Sequence, residues 1–138
     1  MAEHKVERTE QEWRQRLSPE RYRVLREAAT EAAFSGEYGS FKDEGVYRCA
    51  ACGRELFGSE TKFDFGSGWP SFTGPVVVEA VLTVPDDSLG MERTEVLCRR
   101  CRSHLGHVFD DGPPPTGRRY CLNSLALNFA PETRPPSP

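Results

Sequence analysis

Four of the five cysteines fall into two pairs of equal spacing, Cys49-Ala-Ala-Cys52 and Cys98-Arg-Arg-Cys101. A two-residue gap lets both sulfurs of a tight turn face one ion, so two such pairs commonly set four thiolates around a tetrahedral Zn²⁺. The 45 residues between positions 52 and 98 exceed the gap of a short zinc finger. The predicted arrangement is one larger domain in which a structural zinc joins two hairpin turns. Haem attachment would need His directly after the second Cys, where Gly53 and Arg102 stand instead. A thioredoxin-like redox pair would want a βαβ context, and both pairs lie in β-like surroundings.

The first residues, Met-Ala-Glu-His-Lys-Val-Glu-Arg, carry no apolar signal core, which favours a reducing cytoplasm over a disulfide framework. With 138 residues one domain is expected, and no run approaches the roughly 18 apolar residues of a membrane span. Net charge is −3. Four metal-bound thiolates and one divalent ion would bring it to about −5, which argues against nucleic acid as a partner. Arg48, Arg54, Arg99, Arg100 and Arg102 cluster around the knuckles and read as charge compensation for a zinc–thiolate centre.

Thr9-x-x-Glu12 is a capping-box pattern, and Ser18-Pro19 supplies a cap followed by proline at the first helical position. Helices near 10–17 and 19–29 follow, with Trp13, Leu17, Tyr22, Leu25, Ala28 and Ala29 expected to be buried. From Gly45 the chain reads as short strands: Val46–Cys49, Val76–Val84, Glu92–Cys98, His107–Phe109, Tyr120–Ser124 and Leu125–Phe129. Residues 1–8 are expected to be a flexible start, 9–130 the folded domain, and the proline-rich 131–138 a frayed tail. The fold class is mainly β (α+β), an antiparallel core with a helical N-terminal arm and a zinc site joining the two turns.

Three further elements carry chemistry. Cys121, in Arg119-Tyr-Cys121-Leu-Asn123, is a lone thiol that is either an inert core residue or a nucleophile. Period two on a strand puts Arg119, Cys121 and Asn123 on one face, where a cation would lower the thiol pKa. His104 and His107 follow the second knuckle and read as zinc ligands, as core or surface residues, or as proton donors to a nearby thiol. Four cysteines already fill a tetrahedron, which weakens the first reading. In Gly66-Ser67-Gly68-Trp69-Pro70-Ser71-Phe72, Trp69 is either a core plug or one wall of an apolar pocket.

Taken in order, the two knuckles, Gly66-Ser67-Gly68-Trp69-Pro70-Ser71-Phe72, His104-Leu-Gly-His107-Val-Phe109-Asp-Asp-Gly-Pro and Arg119-Tyr-Cys121-Leu-Asn123-Ser resemble the methionine-R-sulfoxide reductase B family. The segments Leu17-Ser-Pro-Glu-Arg-Tyr-Arg-Val-Leu-Arg and Thr30-Glu31-x-x-Phe34-Ser-Gly-Glu-Tyr38 extend the match. The resemblance implies a β-tent fold and a structural zinc on Cys49, Cys52, Cys98 and Cys101. It implies Cys121 as the nucleophile, His107 as the acid with His104 assisting, and Asn123 orienting the site. Trp69, Phe109 and Arg119 would contact the substrate, a methionine-R-sulfoxide in an oxidised protein or peptide. The thiol would be regenerated by thioredoxin or another thiol reductant, in a monomer with no nucleic-acid or membrane partner.

Many members of that family carry a resolving cysteine where this chain has Ser67, so the chain looks like the single-cysteine subtype. The rival reading is a non-enzymatic zinc β-tent that binds ligands or proteins in its aromatic pocket, which would need neither Cys121 nor the histidines. A Cys/His hydrolase would want an oxyanion hole and an acyl substrate.

Overall fold

The computed structural model describes residues 7–39, 41–87, 90 and 92–131. The arm is two short helices, α1 (Glu10–Arg16) and α2 (Pro19–Glu27). The capping box forms as the sequence predicts: the Thr9 hydroxyl accepts the Glu12 N–H at 3.2 Å and Glu12 Oε1 accepts the Thr9 N–H at 2.9 Å. Ser18 caps α2 by accepting the Arg21 N–H, and Pro19 sits where a missing N–H costs nothing. The second helix ends two residues earlier than expected because Ala28 turns left-handed, at φ 56°. That turn leaves Ala28 exposed and Ala29 half-buried, while Val24 joins Trp13, Tyr22 and Leu25 in the core.

The strands are β1 (Gly45–Cys49), β2 (Glu55–Gly58), β3 (Lys62–Phe63), β4 (Ser71–Phe72), β5 (Val81–Asp86), β6 (Arg93–Cys98), β7 (His104–Phe109), β8 (Arg119–Leu122) and β9 (Leu127–Pro131). All pair antiparallel, in a three-stranded sheet ordered β2-β1-β9 and a six-stranded sheet ordered β3-β4-β8-β7-β6-β5. The mainly β class with a helical arm is therefore what the sequence led one to expect.

The single strand expected over Val76–Val84 is broken. Val78–Ala80 is a 3₁₀ turn, Val78 is 79% exposed, and the strand begins at Val81. The stretch is a crossing between elements: the Val76 N–H bonds the Leu56 carbonyl, and the Ala80 carbonyl accepts from Arg99. A second 3₁₀ turn, Ser124–Ala126, separates β8 from β9, so the first stops at Leu122 and the second starts at Leu127. β7 begins at His104, three residues ahead of expectation. β9 runs through Pro131, which pairs with Gly45. Residues 1–6 of the expected flexible start and 132–138 of the expected tail lie outside the described residues.

An aromatic core lies between the sheets. Tyr47 is fully buried, with ring centroids of Phe72 and Phe129 at 5.1 Å and Tyr38 at 5.4 Å. Phe57 stacks on Phe72 at 4.8 Å and meets Tyr120 at 5.6 Å. Because Tyr120 and Leu122 go into this core, the alternation along β8 turns Cys121 and Arg119 to the other face of the large sheet.

Candidate active site and metal centre

The two C-x-x-C pairs occupy the turns between β1 and β2 and between β6 and β7, one in each sheet. Both turns close alike: the Gly53 N–H bonds the Cys49 carbonyl and the Arg102 N–H bonds the Cys98 carbonyl, each at 2.8 Å. Residues 53 and 102 both take positive φ, 81° and 66°. All four sulfurs lie within 4.8 Å of one another, with Cys49–Cys101 at 3.7 Å and Cys52–Cys98 at 3.6 Å. Zinc–sulfur bonds of about 2.3 Å in a tetrahedron put sulfurs about 3.8 Å apart, so the donor set fits a tetrahedral metal ion. The five cysteines are free thiols. Of the arginines expected to compensate the centre, Arg48 pairs with Glu55 and Arg99 donates to the Val81 carbonyl. Arg26 of α2 reaches the second knuckle instead, donating to the Cys101 carbonyl at 2.7 Å and to Ser103 Oγ at 3.1 Å while lying over the Trp13 ring.

A cleft of about 250 Å³ opens on the outer face of the large sheet, lined by Thr30, Phe65, Ser67, Trp69, His107, Phe109, Arg119, Cys121 and Asn123, with Arg93, Gly106 and Leu122. Strand register assembles it. Cys121 of β8 is directly opposite His107 of β7, and Arg119 is opposite Phe109 one step along the same face. Gly106, opposite Leu122, adjoins the His107–Cys121 pair, and a β-carbon there would collide with the Cys121 carbonyl and Leu122, so only glycine lets the two strands approach.

Each histidine holds a carboxylate. His107 Nε2 is 2.7 Å from Asp86 Oδ2, and His104 Nδ1 is 2.6 Å from Glu95 Oε2. Asp86 also takes an Arg93 N–H at 3.4 Å. Asp86, Arg93 and Glu95 were missed from sequence. Their signal was present as charged residues on the alternating positions of β5 and β6 that share a face with His107. The two imidazoles meet edge-on with centroids 5.5 Å apart. His104 is buried and does not line the cleft, and burial pulls its pKa below the ordinary histidine range against the opposing pull of Glu95. Neither histidine stands among the four-sulfur cluster.

Arg119 forks onto Asp111, with Nε to Oδ1 at 2.9 Å and Nη2 to Oδ2 at 3.1 Å. Its guanidinium is stacked between Phe65 at 4.1 Å and Phe109 at 4.5 Å. The expected lowering of the Cys121 pKa does not prevail. Burial pushes the thiol up, and the Arg119 charge and a Ser67 hydrogen bond pull down by less. Asp111 pairs with that same cation at 2.9 Å. Trp69 donates its indole N–H to the Glu31 carbonyl at 3.0 Å, so its ring is held as a wall of the cleft. Asn123 is committed to the scaffold: Oδ1 accepts the Glu31 N–H at 3.0 Å and Nδ2 donates to the Leu105 carbonyl at 3.1 Å.

A half-buried thiol, an imidazole held by a carboxylate and an aromatic wall thus share one cleft. The SelR domain model matches residues 17–131. The peptide methionine sulfoxide reductase MsrB of Thiobacillus denitrificans is 58% identical over 125 residues, 91% of this chain and 95% of its own. Those of Methanosarcina barkeri and Pseudomonas putida are 55% and 54% identical over 132 and 127 residues, covering 96% and 92% of this chain and 93% and 97% of theirs. The chain belongs to the SelR-domain family, the methionine-R-sulfoxide reductases B. Among the described residues no helix is long and apolar enough to cross a membrane.

Proposed function

We propose that this protein is an oxidoreductase that reduces methionine-R-sulfoxide in oxidised proteins and peptides, and more weakly the free amino acid, with Cys121 as nucleophile. The observation that carries the reading is the direct cross-strand pairing of Cys121 with His107 at the floor of a cleft walled by Trp69. The Cys121 sulfur attacks the sulfoxide sulfur, and a proton delivered by His107 turns the oxygen into a leaving group. The S–S bond forms as the oxygen departs as water, its second proton that of the Cys121 thiol, which leaves the methionine sulfur as a sulfonium. Water then adds to the Cys121 sulfur and splits that bond, releasing methionine and leaving a sulfenic acid. Two equivalents of thiol, from thioredoxin or another reductant, return Cys121 to the thiol, with one disulfide and one water as products.

Asp86 holds Nε2 of His107 at 2.7 Å and so fixes the ring opposite Cys121. His104 and Glu95 back that ring, and Asn123 holds the end of β8 in place. Trp69 packs on the S-methyl group, with Phe109 and Arg119 completing the wall. Cys49, Cys52, Cys98 and Cys101 hold one Zn²⁺, remote from the chemistry, which supplies cross-linking between the sheets. Residues 9–130 are the catalytic unit of a cytoplasmic monomer. A plain binding module would need neither the thiol nor two histidine–carboxylate pairs.

Single-turnover reduction of separate R and S sulfoxides by the reduced protein tests this reading. Selective loss of the R epimer with formation of one sulfenic acid is expected. Equal consumption of both epimers, or turnover by Cys121→Ser, overturns it.

A further inference from the structure

The arm's connection to the sheets, residues 28–38, contains no helix or strand, yet it is tied down at every turn. Glu31 is its fastening point. The buried Glu31 carboxylate accepts the Leu125 N–H through Oε1 at 2.9 Å, which fixes the segment on the 3₁₀ turn after Cys121. From that anchor the Glu31 backbone reaches both ways, its N–H to Asn123 Oδ1 at 3.0 Å and its carbonyl to the Trp69 indole at 3.0 Å. Further along, the Phe34 N–H bonds the Gly68 carbonyl at 2.8 Å and the Tyr38 N–H bonds Ser124 Oγ at 3.1 Å. Gly36 lets the strap fold back over the carboxylate, since a β-carbon there would collide with Glu31 Oε2 and Ser124 Oγ.

We propose that Glu31 is a positioning residue of the site: its buried carboxylate seats the strap that orients Trp69 and Asn123 around Cys121. The inference rests on the reductase reading for its kinetic consequence and on geometry alone for its structural one. Glu31 does not line the cleft, so it acts through the two side chains it holds. A carboxylate one methylene shorter cannot reach the Leu125 N–H from the same backbone, whereas the carboxamide oxygen of glutamine can. Reach, not charge, is the property at stake.

The test uses Glu31→Ala, Glu31→Asp and Glu31→Gln in the full chain, with both tryptophans, Trp13 and Trp69, replaced by 5-fluorotryptophan. In ¹⁹F spectra the Trp69 resonance, assigned with Trp69→Phe, is expected to shift and broaden in the Ala and Asp variants. The Trp13 resonance, from the core, is expected to stay in place. With the R sulfoxide, kcat/KM of the Ala and Asp variants should fall about 10- to 100-fold, as displacement by an ångström would cause. Glu31→Gln should keep both the wild-type Trp69 signal and most of the rate.

Unchanged Trp69 signals and rates in Glu31→Ala and Glu31→Asp would overturn the proposal, as would a Glu31→Gln variant as impaired as Glu31→Asp. Loss of both tryptophan signals in Ala and Asp together, with Gln intact, would assign Glu31 to global stability and overturn positioning. If the wild-type protein reduces neither epimer the reductase reading fails, and the fluorine spectra still decide the role of Glu31.

Discussion

Cys121 and His107 face each other across adjacent antiparallel strands, and Asp86 holds the far nitrogen of that imidazole at 2.7 Å. Thiol, imidazole and carboxylate therefore lie on one face of the four successive strands β8-β7-β6-β5, and their spacing is set by backbone hydrogen bonds instead of loop conformation.

His107→Ala is expected to lower the reduction rate by about 10²- to 10⁴-fold while metal content and thermal midpoint stay near wild type. His104→Ala should cost less, since that ring does not line the cleft. Asp86→Asn should fall between them by loosening the hold on the His107 ring. Loss of metal from both histidine variants would reassign them to the cysteine centre.

Ser67 lies in the cleft with Cys121. One turnover of the native chain without reductant should consume one thiol, form no disulfide, and give a single dimedone adduct on the Cys121 peptide. Ser67→Cys should instead end in a disulfide with Cys121, provided the Cα atoms come within about 4.4–6.8 Å. A new disulfide in the native chain would refute the single-cysteine chemistry.

Burial holds the Cys121 pKa above the ordinary thiol range, so the thiol is protonated at neutral pH and becomes thiolate only as pH rises past that raised value. Iodoacetamide labelling of Cys121 should therefore have its pH midpoint above the free-thiol value of about 8.5. Asp111→Asn leaves Arg119 uncompensated and should move the midpoint down, while Arg119→Leu should move it up. Measured midpoints in the reverse order would show that desolvation does not govern this thiol.

Metal analysis of the purified protein should give about one zinc per chain, and Cys49→Ser or Cys101→Ser should lose it with a sharp drop in thermal midpoint. Full zinc retention in both variants would disprove the four-sulfur site.

Tyr47 is fully buried, its hydroxyl has no hydrogen-bond partner among the described residues, and burial pushes its pKa up to about 12. Removing an unsatisfied hydroxyl from a packed core relieves a desolvation penalty, so Tyr47→Phe should stabilise the fold by about 1 kcal/mol. Chemical denaturation measures this, and a loss of similar size would mean the hydroxyl is satisfied in solution.

The knuckles, the capping box and the face shared by Arg119 and Cys121 were legible because each is a local pattern whose geometry follows from spacing alone. The Val76–Val84 run was misread because alternation of valines does not distinguish a strand from a crossing whose backbone partners, Leu56 and Arg99, lie on other elements. Ala28 and Ala29 suited a helix, and nothing in their side chains announces the left-handed turn that ends it. The partnerships of Asp86, Glu95, Asp111 and Glu31 were not legible for a different reason: alternation can place a carboxylate on a face, but which imidazole, guanidinium or backbone N–H it meets is decided only when tertiary packing brings the strands together.

Glu31 meets Asn123 and Leu125 across 92 and 94 positions of sequence, and β1 finds its second neighbour only in β9. Synthesis from the N-terminus therefore delivers every knuckle cysteine before Cys121. A nascent chain can gather all four sulfurs while Cys121 is still unmade, and the strap's fastenings at Asn123, Ser124 and Leu125 come later still. Contacts of such long range are slow to close. The Cys121 thiol is thus shielded last, and for that interval a newly made molecule leaves it open to oxidants.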